Sequence, residues 1–221
     1  GVQTCALPIS ENWLTYSGTY FSQRYSTLSE VTPANVDDLA LQWVYQTPVA
    51  GPWQATPLVV DGVMYLTEAP NTVVALDAKL GRAFWRYEYT PSADSRPCCG
   101  RINRGLAFLG DTLFMGTIDA HLVAIDAKSG KPLWNTIVGN PKAGYALTHA
   151  PLVVKDKVIV GGTGGDNAHR GYITAFNTRT GRLAWRWYVI PGPGEKGHET
   201  WNGDSWRFGG GAPWLTRSEE H

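Results

Sequence analysis

The chain has 221 residues, with 19 basic against 19 acidic side chains. That length suits a domain with a sizeable core, and the even charge balance argues against a nucleic-acid surface, which needs a basic stripe. No apolar run approaches the roughly 18 residues of a membrane span; ten tryptophans and 25 glycines point to short strands, tight turns and large aromatic packing units.

In chain order, residues 1–10 read GVQTCALPIS and residues 217–221 read RSEEH. Both strings resemble in-frame translations of sequencing-adapter DNA and are expected to be non-native, Cys5 with them. The expected domain is therefore 11–216, a fragment without its own ends. A short helix is expected over Pro33–Leu39, with Thr32 as N-cap and Pro33 at its first position.

Three later segments share one pattern: Ala75–Trp85 (ALDAKLGRAFW), Ala124–Trp134 (AIDAKSGKPLW) and Ala175–Trp185 (AFNTRTGRLAW). Each runs Ala, apolar, Asp or Asn, polar positions, Gly, then Trp four residues after the Gly. The tryptophans lie 49 and 51 residues apart, a period that belongs to propellers or solenoids. Each copy predicts four strands. The first has 56–60, 63–67, 72–76 and 83–89, with a hairpin turn at Asp61-Gly62 and a second turn over Lys79–Gly81. The second has 105–109, 112–116, 121–125 and 132–138, and the third 150–154, 157–161, 172–176 and 183–189. Four antiparallel strands per unit make a propeller blade, so the fold class is all-β, a β-propeller with about three blades present. The Trp is expected to fill the space between neighbouring blades, and the Gly to need positive φ. Apolar residues cluster in short β-branched runs and do not recur at 3.6, which excludes a helical reading.

Between the first two copies stand Cys98 and Cys99. As adjacent cysteines they are either two reduced thiols or a disulfide, which forms only where the backbone is held for it; they are not a C-x-x-C motif. Gly161–Gly165 lies between strands with no following helix, so it is not a dinucleotide-binding loop. Asp119, Asp204 and His149 read as ordinary loop side chains.

These features together resemble the quinoprotein alcohol dehydrogenases, the methanol/ethanol dehydrogenase family that depends on pyrroloquinoline quinone (PQQ). The resemblance is carried by Trp13, Gly18, Arg24-Tyr25-Ser26 and Val31–Val36, by Arg96-Pro97-Cys98-Cys99 with Asn103-Arg104-Gly105, by Gly144–Pro151, by Gly161–Tyr172 and by Pro191–Trp214. It implies an eight-bladed propeller of which this chain holds part. It also implies that Cys98 and Cys99 form a disulfide against one face of the flat quinone, with Trp214 against the other. Trp214 lies 29 residues after Trp185, outside the repeat spacing. Arg104 would hold a cofactor carboxylate, which suits a guanidinium. Thr148, Thr163, Gly164 and Gly165 would donate hydroxyl and backbone N–H contacts.

Asp166 stands where the family has a metal-ligating glutamate for Ca2+ or a lanthanide, a hard cation that takes oxygen ligands. Gln54 stands where relatives carry a cofactor-contacting glutamate. The first keeps the charge but shortens the reach, so that either the backbone shifts or the metal site weakens; the second keeps the hydrogen bonding but loses the charge. The family's proton-accepting aspartate has no match here, so no catalytic residue is assigned. The implied reaction oxidises a small alcohol to an aldehyde and passes electrons to a cytochrome c, a haem domain or a quinone. The implied location is the periplasm, where a disulfide persists, with membrane association through a partner. The alternatives are a non-catalytic propeller scaffold, which lacks the cysteine pair, and a PQQ sugar or polyol dehydrogenase.

Overall fold

The computed structural model describes residues 12–216; both terminal strings, Cys5 and Glu11 lie outside the described residues. Twelve strands form three four-stranded antiparallel sheets. The first contains β1 (Leu58–Val60), β2 (Val63–Glu68), β3 (Thr72–Asp77) and β4 (Ala83–Glu88). The second contains β5 (Ala107–Leu109), β6 (Thr112–Gly116), β7 (His121–Asp126) and β8 (Pro132–Ile137). The third contains β9 (Leu152–Val154), β10 (Lys157–Gly161), β11 (Tyr172–Asn177) and β12 (Leu183–Tyr188). Strand order follows chain order in each, which is the meander of a propeller blade.

The turns explain why the repeat has its residues. Asp61 and Gly62 both take positive φ, 49° and 80°, the geometry of a two-residue hairpin loop that matches strand twist. At the end of each third strand the Asp or Asn folds its side chain over the following turn. Asp77 Oδ1 accepts the N–H groups of Lys79 and Leu80, Asp126 Oδ1 that of Ser129, and Asn177 Oδ1 those of Arg179 and Thr180. The turn glycines Gly81, Gly130 and Gly181 have φ of 68°, 71° and 65°, as their place in the pattern predicts.

Those glycines meet a second demand. A Cβ on Gly130 would stand 2.6 Å from the Trp85 ring, and one on Gly181 would stand 2.7 Å from the Trp134 ring. The Trp of one blade lies flat on the glycine turn of the next. Its Nε1–H donates to a backbone carbonyl there, from Trp85 to Ala127 at 3.0 Å and from Trp134 to Thr178 at 3.0 Å. The fourth strand carries a bulge beside each Trp, which pairs across the sheet with a fully buried alanine: Ala75, Ala124 or Ala175. The cores lie between sheets. Leu58, Val73, Leu113, Met115 and Val123 fill the first interface, and Phe114, Leu122, Leu147, Val160 and Phe176 the second.

Trp43 makes the same contact one blade earlier, outside the repeat pattern. Its ring lies on Gly81 and its Nε1–H donates to Ala78 C=O at 3.1 Å. It stands 42 residues before Trp85, short of the 49–51 spacing, and no Asp…Gly turn precedes it. The expected helix over 33–39 is also corrected. Only a 3-10 turn forms, Val36–Asp38, and its N-cap is Asn35, with no side-chain cap bond. Asn35 Oδ1 instead accepts the Thr32 N–H at 2.7 Å, so the capping bond runs backward. The innermost strands begin two residues later than predicted. Thr56 and Gly105 pair in a parallel bridge between blades, spending on the junction the backbone groups expected to extend each strand.

Candidate functional site

Except for Gln54, which precedes β1, the predicted site residues fall on four loops that the blades bring together, with Thr148 on the second of them, residues 138–151. The first is a strap, residues 90–102, which leaves the first blade and carries Cys98 and Cys99. These two are joined in a disulfide, and both are exposed. The strap is tied down at intervals. Asp119 accepts the Ser92 N–H at 2.8 Å, Ser95 Oγ donates to Ile118 C=O at 2.7 Å, and Asp94 pairs with Lys142 at 3.2 Å.

Arg104 follows the strap. Its N–H donates to Thr148 C=O at 3.0 Å, and its own C=O accepts from Thr56 N–H at 3.1 Å. Its guanidinium donates to Thr148 Oγ1 at 3.0 Å and stands 5.0 Å from the centre of the Trp214 ring, a cation–π arrangement. Among the described residues no carboxylate pairs with it. It is half-buried, and the loss of solvent pushes its pKa below the usual guanidinium value. Partial burial of a cation without an anion is costly unless something completes it.

The third loop, 161–170, carries Thr163 to Asp166. Thr163 is buried and spends both its N–H and its Oγ–H on Ala146 C=O, at 2.9 and 2.8 Å, so neither donor that the resemblance implied is free. Gly164 sits at φ 106° and opens a 3-10 turn, Gly165–Asn167. Neither its N–H nor that of Gly165 has an acceptor among the described residues. Asp166 is exposed on this turn, with its carboxylate and the two cysteine sulfurs all within 4.8 Å of one another. Sulfurs already bonded to each other carry no charge and are poor ligands for a hard cation, so among the described residues of this cluster Asp166 supplies the charged oxygen.

The fourth loop, 209–216, crosses the third. A Cβ on Gly161 would collide with the Pro213 carbonyl, and one on Gly165 would press on Ala212 at 3.1 Å. These glycines let Trp214 approach, and it remains 49% exposed. Asn167 Nδ2 reaches the Gly144 carbonyl at 3.4 Å and lies 3.5 Å from that of Arg96, which places the strap beside the metal-candidate turn. Gln54 is exposed and makes none of the hydrogen bonds that join the other site residues. Thr56, two residues on, donates its N–H to Arg104 C=O.

His149 is corrected. It is 4% exposed, and its Nε2 accepts the Gly161 N–H at 3.2 Å. The ring is therefore neutral with its proton on Nδ1, which has no partner. Burial, and then the nearby Arg104 charge, lower its pKa to about 4. A folded value below the unfolded one means that the unfolded chain takes up a proton first as the pH falls. Stability from the neutral ring is complete above about pH 6.5 and is lost between about 6.5 and about 4, a span worth about 3 kcal/mol. Replacing His149 with Gln keeps an acceptor for Gly161 and should remove that part of the pH dependence. Urea unfolding of both proteins at about pH 7 and about pH 4.5 reads the difference; equal losses would show that the ring does not titrate on unfolding.

Residues 13–220 match the family described as PQQ, glucose/ethanol/alcohol dehydrogenase, beta-propeller domain. Quinohemoprotein alcohol dehydrogenase ADH IIB of Pseudomonas putida is 38% identical over 96% of this chain and 33% of its own length. The dehydrogenase subunit of alcohol dehydrogenase (quinone) from Gluconacetobacter polyoxogenes is 35% identical, over 92% of this chain and 31% of its own. The solved structure of a europium-containing methanol dehydrogenase superposes with a TM-score of 0.89 at 34% identity, covering 96% of this chain and 41% of that one. The chain thus spans about a third of the length of the curated relatives it matches. With three Trp-docked blades and a disulfide of adjacent cysteines, it belongs to the PQQ β-propeller family of the quinoprotein alcohol dehydrogenases.

Proposed function

We propose that this chain is the cofactor-binding part of a PQQ-dependent alcohol dehydrogenase that oxidises an alcohol to an aldehyde. The observation that carries the reading is Arg104, a half-buried guanidinium with no carboxylate partner, set against the Trp214 ring and the Thr148 hydroxyl. Such a corner suits one carboxylate of a flat, polyanionic ligand. The N–H groups of Gly164 and Gly165, which have no acceptor among the described residues, add donors for further oxygens.

On this reading Trp214 and the Cys98–Cys99 disulfide are the two walls of the quinone slot, and Thr148 donates its own O–H while accepting from Arg104. Asp166 would be one of the roughly six to eight oxygen ligands that Ca2+ takes, or one of those of a lanthanide. The remaining ligands would come from the cofactor and from outside this chain. When bound, the cofactor supplies a two-electron acceptor and the cation a Lewis acid. This chain's residues bind and orient; none is assigned to take the alcohol proton. The names of the relatives support a haem or quinone electron acceptor. The disulfide supports an oxidising compartment, the periplasm.

The test uses the full-length protein with PQQ, Ca2+ or a lanthanide, and an artificial electron-accepting dye. Dye reduction is expected with primary alcohols and should require both cofactor and cation. Reduction with glucose but with no alcohol would move the assignment to a sugar dehydrogenase, and no reduction with any substrate would overturn it.

A further inference from the structure

The strap that carries the disulfide contains no regular secondary structure from residue 90 to residue 102, so its position must be set by side-chain anchors. Two of them, at Ser92 and Ser95, converge on one short turn, Thr117–Ala120, between β6 and β7. Asp119 in that turn is 2% exposed and bears three hydrogen bonds. Its Oδ2 accepts from the Ser92 N–H at 2.8 Å and from Tyr89 Oη at 3.1 Å, and its Oδ1 accepts from Thr117 Oγ1 at 2.5 Å. Ile118 C=O of the same turn accepts from Ser95 Oγ at 2.7 Å. Just past the strap, Asn103 Nδ2 donates at 3.0 Å to the carbonyl of Gly116, the last residue of β6 before that turn. Asn71 clamps the turn from the first blade, donating to Gly116 C=O and accepting the Ile118 N–H.

A carboxylate buried this deeply is expensive unless its lone pairs are satisfied, and here the donors that satisfy it include the strap itself. Ala120, which closes the turn, stands at φ 59°. Tyr89 is held as a donor: burial, and then the Asp119 charge, raise its pKa to about 12. The repeat does not demand any of this. Residue 119 lies in the turn between the second and third strands, whereas the Asp of the repeat motif ends the third strand.

We propose that Asp119 is a positioning residue, whose buried carboxylate fixes the near foot of the strap and thereby sets where the Cys98–Cys99 disulfide stands. Asp119 reaches the cysteines only through the strap, so its loss should loosen them without opening the blade. The importance of that position for the cofactor rests on the function proposed above; the anchoring itself does not.

The experiment measures the dithiol–disulfide equilibrium of Cys98–Cys99 in the full-length protein without PQQ. The protein is equilibrated with reduced and oxidised dithiothreitol, then alkylated and assayed for free thiols by mass spectrometry. Asp119→Ala should shift the midpoint at least about tenfold in the thiol–disulfide ratio toward the dithiol, roughly 30 mV for this two-electron couple. Asp119→Asn keeps a carbonyl oxygen for Ser92 and should stay within about threefold of the parent. Ser95→Ala, which removes the second anchor and leaves the carboxylate, should shift the midpoint by roughly threefold. If Asp119→Ala fails to fold, Asp119→Ser, whose shorter side chain does not reach the Ser92 N–H, takes its place with the same expected shift. Parental midpoints in every folded variant would overturn the proposal. Because no PQQ is present, that failure is distinct from a failure of the dye assay.

Discussion

Replacing Trp134 with alanine is expected to cost the full-length protein about 3 kcal/mol of unfolding free energy. The ring fills the junction between the second and third blades, lying on Gly181 and packing against Phe114 with ring centres 5.8 Å apart. Phe or Trp to Ala changes in cores cost about 3–5 kcal/mol, and the lower end applies because Trp134 is only partly buried. Trp134→Phe should restore most of the packing but not the bond to Thr178 C=O, leaving a deficit of about 1 kcal/mol. Urea titration separates the two. A loss below about 1 kcal/mol for the alanine variant would mean that the blades hold together without their docking rings.

Arg104→Ala should weaken PQQ binding by roughly 10- to 150-fold, the equivalent of about 1.5–3 kcal/mol for hydrogen bonds to a charged partner. Titration of the cofactor-free, full-length protein with PQQ, followed by quenching of tryptophan fluorescence, gives the dissociation constant. The unfolding free energy of the same cofactor-free protein should change by less than about 1 kcal/mol, since the substitution also removes a half-buried cation that has no carboxylate partner among the described residues. That opposition is the useful part. An arginine with a merely structural role would lower stability and leave binding unchanged. Arg104→Lys should fall between, because an ammonium keeps the charge but not the planar fork.

The blade is legible in the residues because its causes are local. A Gly at a fixed distance before a Trp encodes both a left-handed turn and the place where the preceding Trp lands. The Asp or Asn at the end of the third strand encodes the bonds that fold that turn. Trp43 escaped because its own blade signature is incomplete, although its landing site, Gly81, lies inside the first recognised repeat. The failed helix over 33–39 has the opposite lesson: Thr32 and Pro33 are good starting residues, but Asn35 competes for the Thr32 N–H and leaves a single turn.

The site was legible only as types and positions. Its residues come from four loops, and sequence spacing carries no information about which side chains of different loops share donors. Thr163 matched the family pattern, yet Ala146 takes both its donors. His149 and Asp119 looked like loop side chains, and the fold buries both. The sequence by itself determined the blade, its repeat and the adjacent cysteines, because each depends on contacts within a few residues or on one repeated register. Only the tertiary structure decided that Arg104 stands half-buried without a carboxylate, that glycines admit the Trp214 loop, and that Asp119 holds the disulfide strap. Those outcomes depend on burial and on partners far apart in the chain, which packing alone brings together.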